Sequence, residues 1–214
     1  MKKLKGVIFD IDGTLTSTNE LIIAAFNHIT NRHLNKTLIP EEVFSLFGPT
    51  EEQIIEKWFP ENSDEVIKDY FNFYSENHSM ANMYPGMIHI LNDLKEKEIL
   101  LSIFTGKGKR SAMITLEKLG VIKYFDFIVT GDDVINHKPS GEGIISFLKK
   151  FSLKKNEVLM MGDSPADVKA SHTTGIKVAS VLWDSYAKEK VLELKSDYVF
   201  HTVEDLKVFL KKNT

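Results

Sequence analysis

Apolar residues are arranged in two regimes along this chain. Val7, Ile8 and Phe9 form a short continuous run of β-branched and aromatic residues, the pattern of a strand buried on both faces. From Asn19 to about Ala81 the spacing is helical instead. Leu21, Ile22, Ala25, Phe26 and Ile29 make one apolar face, Ile54, Ile55, Trp58 and Phe59 a second, and Val66, Ile67, Tyr70, Phe71 and Tyr74 a third. Thr50, followed three residues later by Gln53, predicts a capping box at the head of the second helix. No strand pattern interrupts this segment, which predicts a helical insertion. Its aromatics, Trp58 and Phe71 among them, read as core.

After the turn signal Tyr84-Pro85-Gly86 the regimes alternate. Met87, Ile90, Leu91 and Leu94 predict a helix, and Ile99 to Phe104 a buried strand. Met113, Leu116 and Leu119 lead to Phe127-Ile128-Val129; Ile144, Ile145 and Leu148 lead to Val158-Leu159-Met160-Met161; Val168 leads to Val178-Ala179-Ser180-Val181. A last unit runs from Val191 and Leu194 through Tyr198-Val199-Phe200 to a helix around Leu206 and Phe209. Such alternation predicts a mostly parallel sheet with helices on both faces.

Composition narrows the partners. A formal net charge of −3 offers no nucleic-acid footprint, and Lys2, Lys3, Lys5, Lys211 and Lys212 read as solvated ends. The absence of cysteine excludes a disulfide scaffold, thiolate metal sites and cysteine nucleophiles. No apolar stretch approaches the ~20 residues that span a bilayer, and Asp10 breaks the N-terminal run before it could serve as a signal core. The expected setting is the cytoplasm, with no membrane partner.

The chemistry gathers at strand ends. Asp10 and Asp12 follow the first strand at i and i+2, a spacing that projects both carboxylates the same way in extended backbone. Two like charges ~4 Å apart at an effective dielectric near 20 repel by about 4 kcal/mol, so the pair needs a cation, a shared proton or separation. Thr105-Gly106 ends the second strand, Lys138 lies beyond the third, and Asp163 follows the fourth. Parallel strands bring these ends to one edge of the sheet. Asp10 and Asp163 are hard oxygen ligands suited to Mg²⁺, Thr105 and the N–H groups around Gly106 suit phosphate oxygens, and Lys138 can offset charge that develops in transfer. A dianionic phosphate among three carboxylates and one lysine calls for a divalent cation. Ser164-Pro165-Ala166-Asp167 also reads as a helix start, so Asp167 carries a capping reading beside a functional one. Lys107, Lys109 and Arg110 read as a solvated helix face.

These motifs carry a resemblance. Asp10-Ile11-Asp12-Gly13-Thr14-Leu15, Ile103-Phe104-Thr105-Gly106-Lys107, Lys138-Pro139 and Gly162-Asp163-Ser164-Pro165-Ala166-Asp167, in that order, resemble the haloacid dehalogenase superfamily, in its phosphatase branch with an α-helical cap, near phosphoglycolate phosphatases and related pyrophosphatases. The resemblance implies a Rossmann-like doubly wound core over residues 1–15 and 83–214 and a helical cap over 16–82, hinged near Thr16–Thr18 and Asn82–Pro85. It implies that Asp10 is the nucleophile, forming an aspartyl-phosphate, and that Asp12 protonates the leaving group and then activates water. Mg²⁺ would be held by Asp10, the carbonyl of Asp12 and Asp163, with Asp167 steering the metal water or Lys138. Dehalogenases of the superfamily lack the second acid, so Asp12 argues for phosphoryl chemistry. Ser17 stands where relatives often carry aspartate, and Gly141 where they often carry a second proline. Glu51 stands where β-phosphoglucomutases hold a cap arginine, which weighs against a second phosphate. The expected partner is a small phosphorylated metabolite such as phosphoglycolate, a sugar phosphate or a nucleotide. Pyrophosphate hydrolysis, β-phosphoglucomutase-like transfer and a non-catalytic phosphate-binding module are the alternatives. Oligomeric state is left open between monomer and dimer.

Overall fold

The buried run of the N-terminus becomes the middle of a sheet. The structure is a computed structural model that describes residues 3–214, so Lys2 and the first two residues of the expected core segment lie outside the described residues. Strand β1 (Gly6–Phe9) is fully buried. The chain then forms a two-residue strand β2 (Thr16–Ser17) and four helices, α1 (Asn19–Leu34), α2 (Pro40–Phe44), α3 (Glu51–Trp58) and α4 (Ser63–Glu76), before a second short strand, β3 (Asn82–Met83). From there helix and strand alternate through α5 (Met87–Glu96), β4 (Leu100–Phe104), α6 (Lys109–Lys118), β5 (Phe127–Val129), α7 (Glu142–Lys150), β6 (Val158–Gly162), α8 (Pro165–Thr174), β7 (Lys177–Val181), α9 (Lys188–Glu193), β8 (Tyr198–Phe200) and α10 (Val203–Asn213).

The six longer strands form one parallel sheet in the order β5-β4-β1-β6-β7-β8. Chain order runs outward from β1 to β5 and then resumes on the other side at β6, which makes the end of β1 the point where the winding reverses. Period-two alternation sorts the strand residues between two cores. Val7, Phe9, Leu101, Ile103, Leu159 and Met161 pack with α5, α6 and α10, whereas Ile8, Phe104, Met160 and Val178 pack with α7 and α8. The fold is thus the parallel sheet with helices on both faces that the alternation predicts, in the doubly wound, Rossmann-like α/β form that the resemblance implies.

Helices α1 to α4 share a separate apolar cluster that includes Phe26, Ile55, Tyr70, Phe71 and Tyr74, with Trp58 packed against it. Two features here differ from the periodicity reading. Helix α2 buries only Val43, too little to leave a repeat in the sequence. The segments read as hinges pair with each other, Thr16 with Met83 and Ser17 with Asn82, in an antiparallel ribbon too short to register as alternation. Thr50 N–H donates to Gln53 Oε1 at 3.0 Å, the glutamine half of the expected capping box. Gly141 has a local reason: a Cβ there would lie 2.0 Å from Thr174 Cγ2, so glycine lets the start of α7 sit against α8. Among the described residues no helix is long and apolar enough to cross a membrane.

Candidate active site

The carboxyl ends of β1, β4 and β6 release the predicted residues onto one edge. Asp10, the first residue past β1, is tied to its neighbour by a hydrogen bond from its N–H to Met161 O at 2.9 Å. The residue is 8% exposed, and its side chain accepts from Lys138 Nζ at 2.8 Å. The same ammonium donates to Asp167 Oδ1 at 2.6 Å and sits 4.8 Å from the centroid of the Phe104 ring. Asp167 serves two partners. Its Oδ2 accepts from Ser164 Oγ at 2.6 Å and Ser164 N–H at 3.1 Å, which closes a capping box on α8, so the residue both caps the helix and contacts Lys138.

Asp163 follows β6 and accepts from Thr14 Oγ1 at 3.3 Å, while its carbonyl accepts from Ser185 Oγ at 2.5 Å. Gly13 makes room for it. With φ at +76°, a Cβ on Gly13 would lie 2.3 Å from Asp163 Oδ2, so the turn after β1 tolerates no side chain. Ligand oxygens of Asp10, Asp163 and Asp167 lie within 4.8 Å of one another.

The side chain of Asp12 turns elsewhere. It accepts from Thr18 Oγ1 and, at 3.2 Å, from Lys107 Nζ. The two acids expected to repel are therefore separated by partner: each has its own ammonium, Lys138 for Asp10 and Lys107 for Asp12. The reading of Lys107 as part of a solvated face is overturned, because its side chain is 1% exposed. Asp12 and the Glu51 carboxylate, 3.6 Å away, hold it between them, and the Tyr74 ring lies 5.0 Å from its ammonium. Burial works to lower the Lys107 pKa, and the charges of Asp12, Tyr74 and Glu51 outweigh it and raise it well above the ordinary lysine value. Lys109, by contrast, is an exposed partner of Asp133, and Arg110 lies over the Phe71 ring.

Glu51, legible in the sequence only as a missing arginine, is a buried anchor. It accepts from Gly108 N–H at 2.8 Å and Ser111 Oγ at 2.6 Å, at the head of α6. Thr105 is buried, and its hydroxyl accepts from Lys107 N–H at 3.2 Å, which folds the Thr105-Gly106-Lys107 turn back on itself. Asp10, Asp12, Thr105, Gly106, Lys107, Lys138 and Asp163 line one cavity of about 160 Å³. Glu51 and Tyr186 also line it; no pattern in the sequence announces Tyr186, and neither Lys107 nor Glu51 reads there as a group of the site.

Charge decides what the cavity can hold. Burial, opposed by the Lys138 charge and reinforced by those of Asp167 and Asp12, pushes the Asp10 carboxyl up to about 7. Burial, then the charges of Asp10 and Asp167, push Asp163 well above the carboxylate range. Ionising all three carboxylates against one ammonium would leave two negative charges unbalanced, which is the cost these raised values express, and all the donors are hard oxygens. A divalent cation of the Mg²⁺ type fits both the charge and the donor set.

The sheet is doubly wound, and an acidic site buttressed by Lys138 lies where its winding reverses. The family model for haloacid dehalogenase-like hydrolases matches residues 7–181, and the chain belongs to that family. It is 31% identical over 201 residues to pyrophosphatase PpaX of Bacillus pumilus, covering 94% of this chain and 93% of that one. To pyrophosphatase PpaX of Bacillus mycoides it is 30% identical over 211 residues, covering 98% of each. Among solved structures, a predicted phosphoglycolate phosphatase from Haemophilus somnus superposes with a TM-score of 0.85 at 22% identity, covering 98% of this chain and 99% of that one. The protein is therefore a phosphatase of the haloacid dehalogenase-like family.

Proposed function

We propose that the chain is a Mg²⁺-dependent phosphatase that hydrolyses small soluble phosphomonoesters through an aspartyl-phosphate on Asp10. The observation that carries this reading is the division of labour between two adjacent acids. Asp10 sits against Lys138 and within the acidic cluster, while Asp12 occupies a separate hydrogen-bond set with Thr18 and Lys107. Paired carboxylates in unlike environments are how one site supplies both a nucleophile and a proton donor.

In the first step an Asp10 oxygen bonds to phosphorus as the ester P–O bond breaks, and Asp12 delivers its proton to the departing oxygen. In the second, Asp12 as carboxylate takes a proton from water, whose oxygen attacks phosphorus and releases Asp10 with inorganic phosphate. Thr105, the Gly106 turn and Lys138 bind the phosphoryl oxygens. Asp10, the carbonyl of Asp12 and Asp163 would hold Mg²⁺, with Asp167 fixing Lys138 from behind. When bound, the ion neutralises phosphate charge and orients the ester. Residues 16–82 act in this reading as a cap that excludes water from the site.

Asp10→Asn is expected to lower kcat by about a thousandfold or more, and Asp12→Asn by about 10²–10⁴-fold, in a phosphate-release assay. Wild-type rates in either variant would sink the mechanism. The Bacillus relatives favour a second reading, hydrolysis of inorganic pyrophosphate by the same residues.

A further inference from the structure

The cavity has two unlike walls. Across from the strand ends, its lining comes from residues 19–54 and from the loop after β7, and it is dominated by Ile22, Phe26, Phe47, Pro49, Ile54 and Tyr186. Tyr186 stacks on Phe44 with ring centroids 5.0 Å and planes 19° apart, and meets Phe47 edge-on at 5.6 Å. A ring carried by the sheet thus completes an apolar wall built mainly by the helical segment. The polar side-chain groups of that wall are the Asn19 amide, the Glu51 carboxylate and the Tyr186 hydroxyl, none of them a cation. Both ammonium groups lining the cavity are already shared between two carboxylates, Lys138 by Asp10 and Asp167, and Lys107 by Asp12 and Glu51.

If the chain is the phosphatase proposed, a phosphoryl group seated at Asp10 turns the rest of its ester toward this wall, and the choice of leaving group rests on that reading. We propose that the leaving group is a compact, uncharged, largely apolar alcohol, and that the site selects against phosphates whose leaving group is itself an anion. Inorganic pyrophosphate and carboxylate-bearing esters such as phosphoglycolate fall in the disfavoured class. An anionic leaving group would meet Glu51, and the wall opposite the strand ends offers it no cation: among the described lining residues Lys138 lies on the phosphoryl side beside Asp10, and Lys107 is held between Asp12 and Glu51. Displacing either lysine would strip a buried carboxylate of its partner. An alkyl or aryl group meets the faces of Phe47, Pro49 and Tyr186 that otherwise contact water, backed by the buried Ile22, Phe26 and Ile54, and each methylene that leaves water there is expected to strengthen binding about fourfold.

The test separates binding from leaving-group reactivity. With Mg²⁺ in excess, kcat/KM is measured along methyl, ethyl, propyl and butyl phosphate, with Asp10→Asn protein as the blank. Inhibition constants are measured for the matching alkylphosphonates, for phosphonoacetate and for imidodiphosphate, none of them a monoester. The expected result is a rise of about fourfold per methylene up to propyl in both series, with propylphosphonate at least about tenfold tighter than either anionic analogue. Phe47→Arg, which places a cation on the apolar wall, is expected to narrow that gap by about tenfold or more. The wild-type series decides the matter by itself should this variant fold poorly. Flat alkyl series, or an anionic analogue that binds as tightly as propylphosphonate, would overturn the inference and leave the phosphatase standing. Absence of turnover above the blank for every alkyl phosphate, and for inorganic pyrophosphate assayed beside them, would instead overturn the phosphatase reading and this inference with it.

Discussion

Lys107 shows how much one side chain can mean once its partners are known. It follows a glycine turn and precedes two other basic residues, a context in which a lysine ordinarily points to water. Here its ammonium is the joint between the second acid of the site and the first residue of α3. Removing it would leave Asp12 and Glu51 facing each other in a buried setting without compensation. Lys107→Met, which preserves length and removes charge, is expected to destabilise the protein by about 3–5 kcal/mol in urea unfolding. A loss below about 1 kcal/mol would mean that the two carboxylates are satisfied without the lysine. Lys138 plays the matching part for Asp10 and Asp167, so each acid of the Asp10–Asp12 pair owns a counter-ion. That answers the repulsion which their spacing alone would impose.

At the scale of elements, the helical segment is held by its apolar cluster and by one polar staple. Asp69 on α4 accepts from His28 at 3.1 Å, Arg32 at 3.1 Å and His33 at 3.2 Å, all on α1. Burial pushes its carboxyl up, and the hydrogen bonds from His28 and His33, then the charges of His28 and Arg32, carry it below the ordinary value of 3.8. A carboxyl lowered on folding adds stability above its unfolded value and loses it as pH falls through the lower, folded one. Asp69→Asn is therefore expected to cost about 1–2 kcal/mol near neutral pH, with the gap to wild type closing below about pH 4. Thermal unfolding of both proteins from pH 3 to 7 checks this, and a gap at pH 3 as wide as the gap at neutral pH would contradict it. The ribbon of β2 and β3 is the other element-scale feature. It clamps the two ends of the helical segment beside the strand end that bears Asp10 and Asp12.

For the molecule as a whole, the proposed ion at the acids of the sheet edge would couple its binding to stability. Mg²⁺ at about a hundred times its dissociation constant is expected to stabilise the fold by about 2.7 kcal/mol, a rise in Tm of about 5–10 °C for a chain of this size. Asp163→Asn should abolish the rise, and an unchanged wild-type Tm across millimolar Mg²⁺ would count against the metal assignment. The alternation of helix and strand, the acids at the ends of β1 and β6, and the glycine turns beside them were legible in residue order, because strand burial and turn geometry are set by neighbours in the chain. Register within the sheet then had little freedom, since a slip by one residue would turn Phe9, Ile103 and Met161 out of their shared core. Other features were decided by tertiary structure alone: the burial of Lys107, the conversion of Glu51 from an apparent vacancy into an anchor for α6, the pairing of Thr16–Ser17 with Asn82–Met83, and the meeting of Tyr186 with Phe44 and Phe47. Each depends on groups dozens of residues apart. A charge or a ring takes its role from whatever the completed fold brings within a few ångströms, which spacing along the chain does not encode.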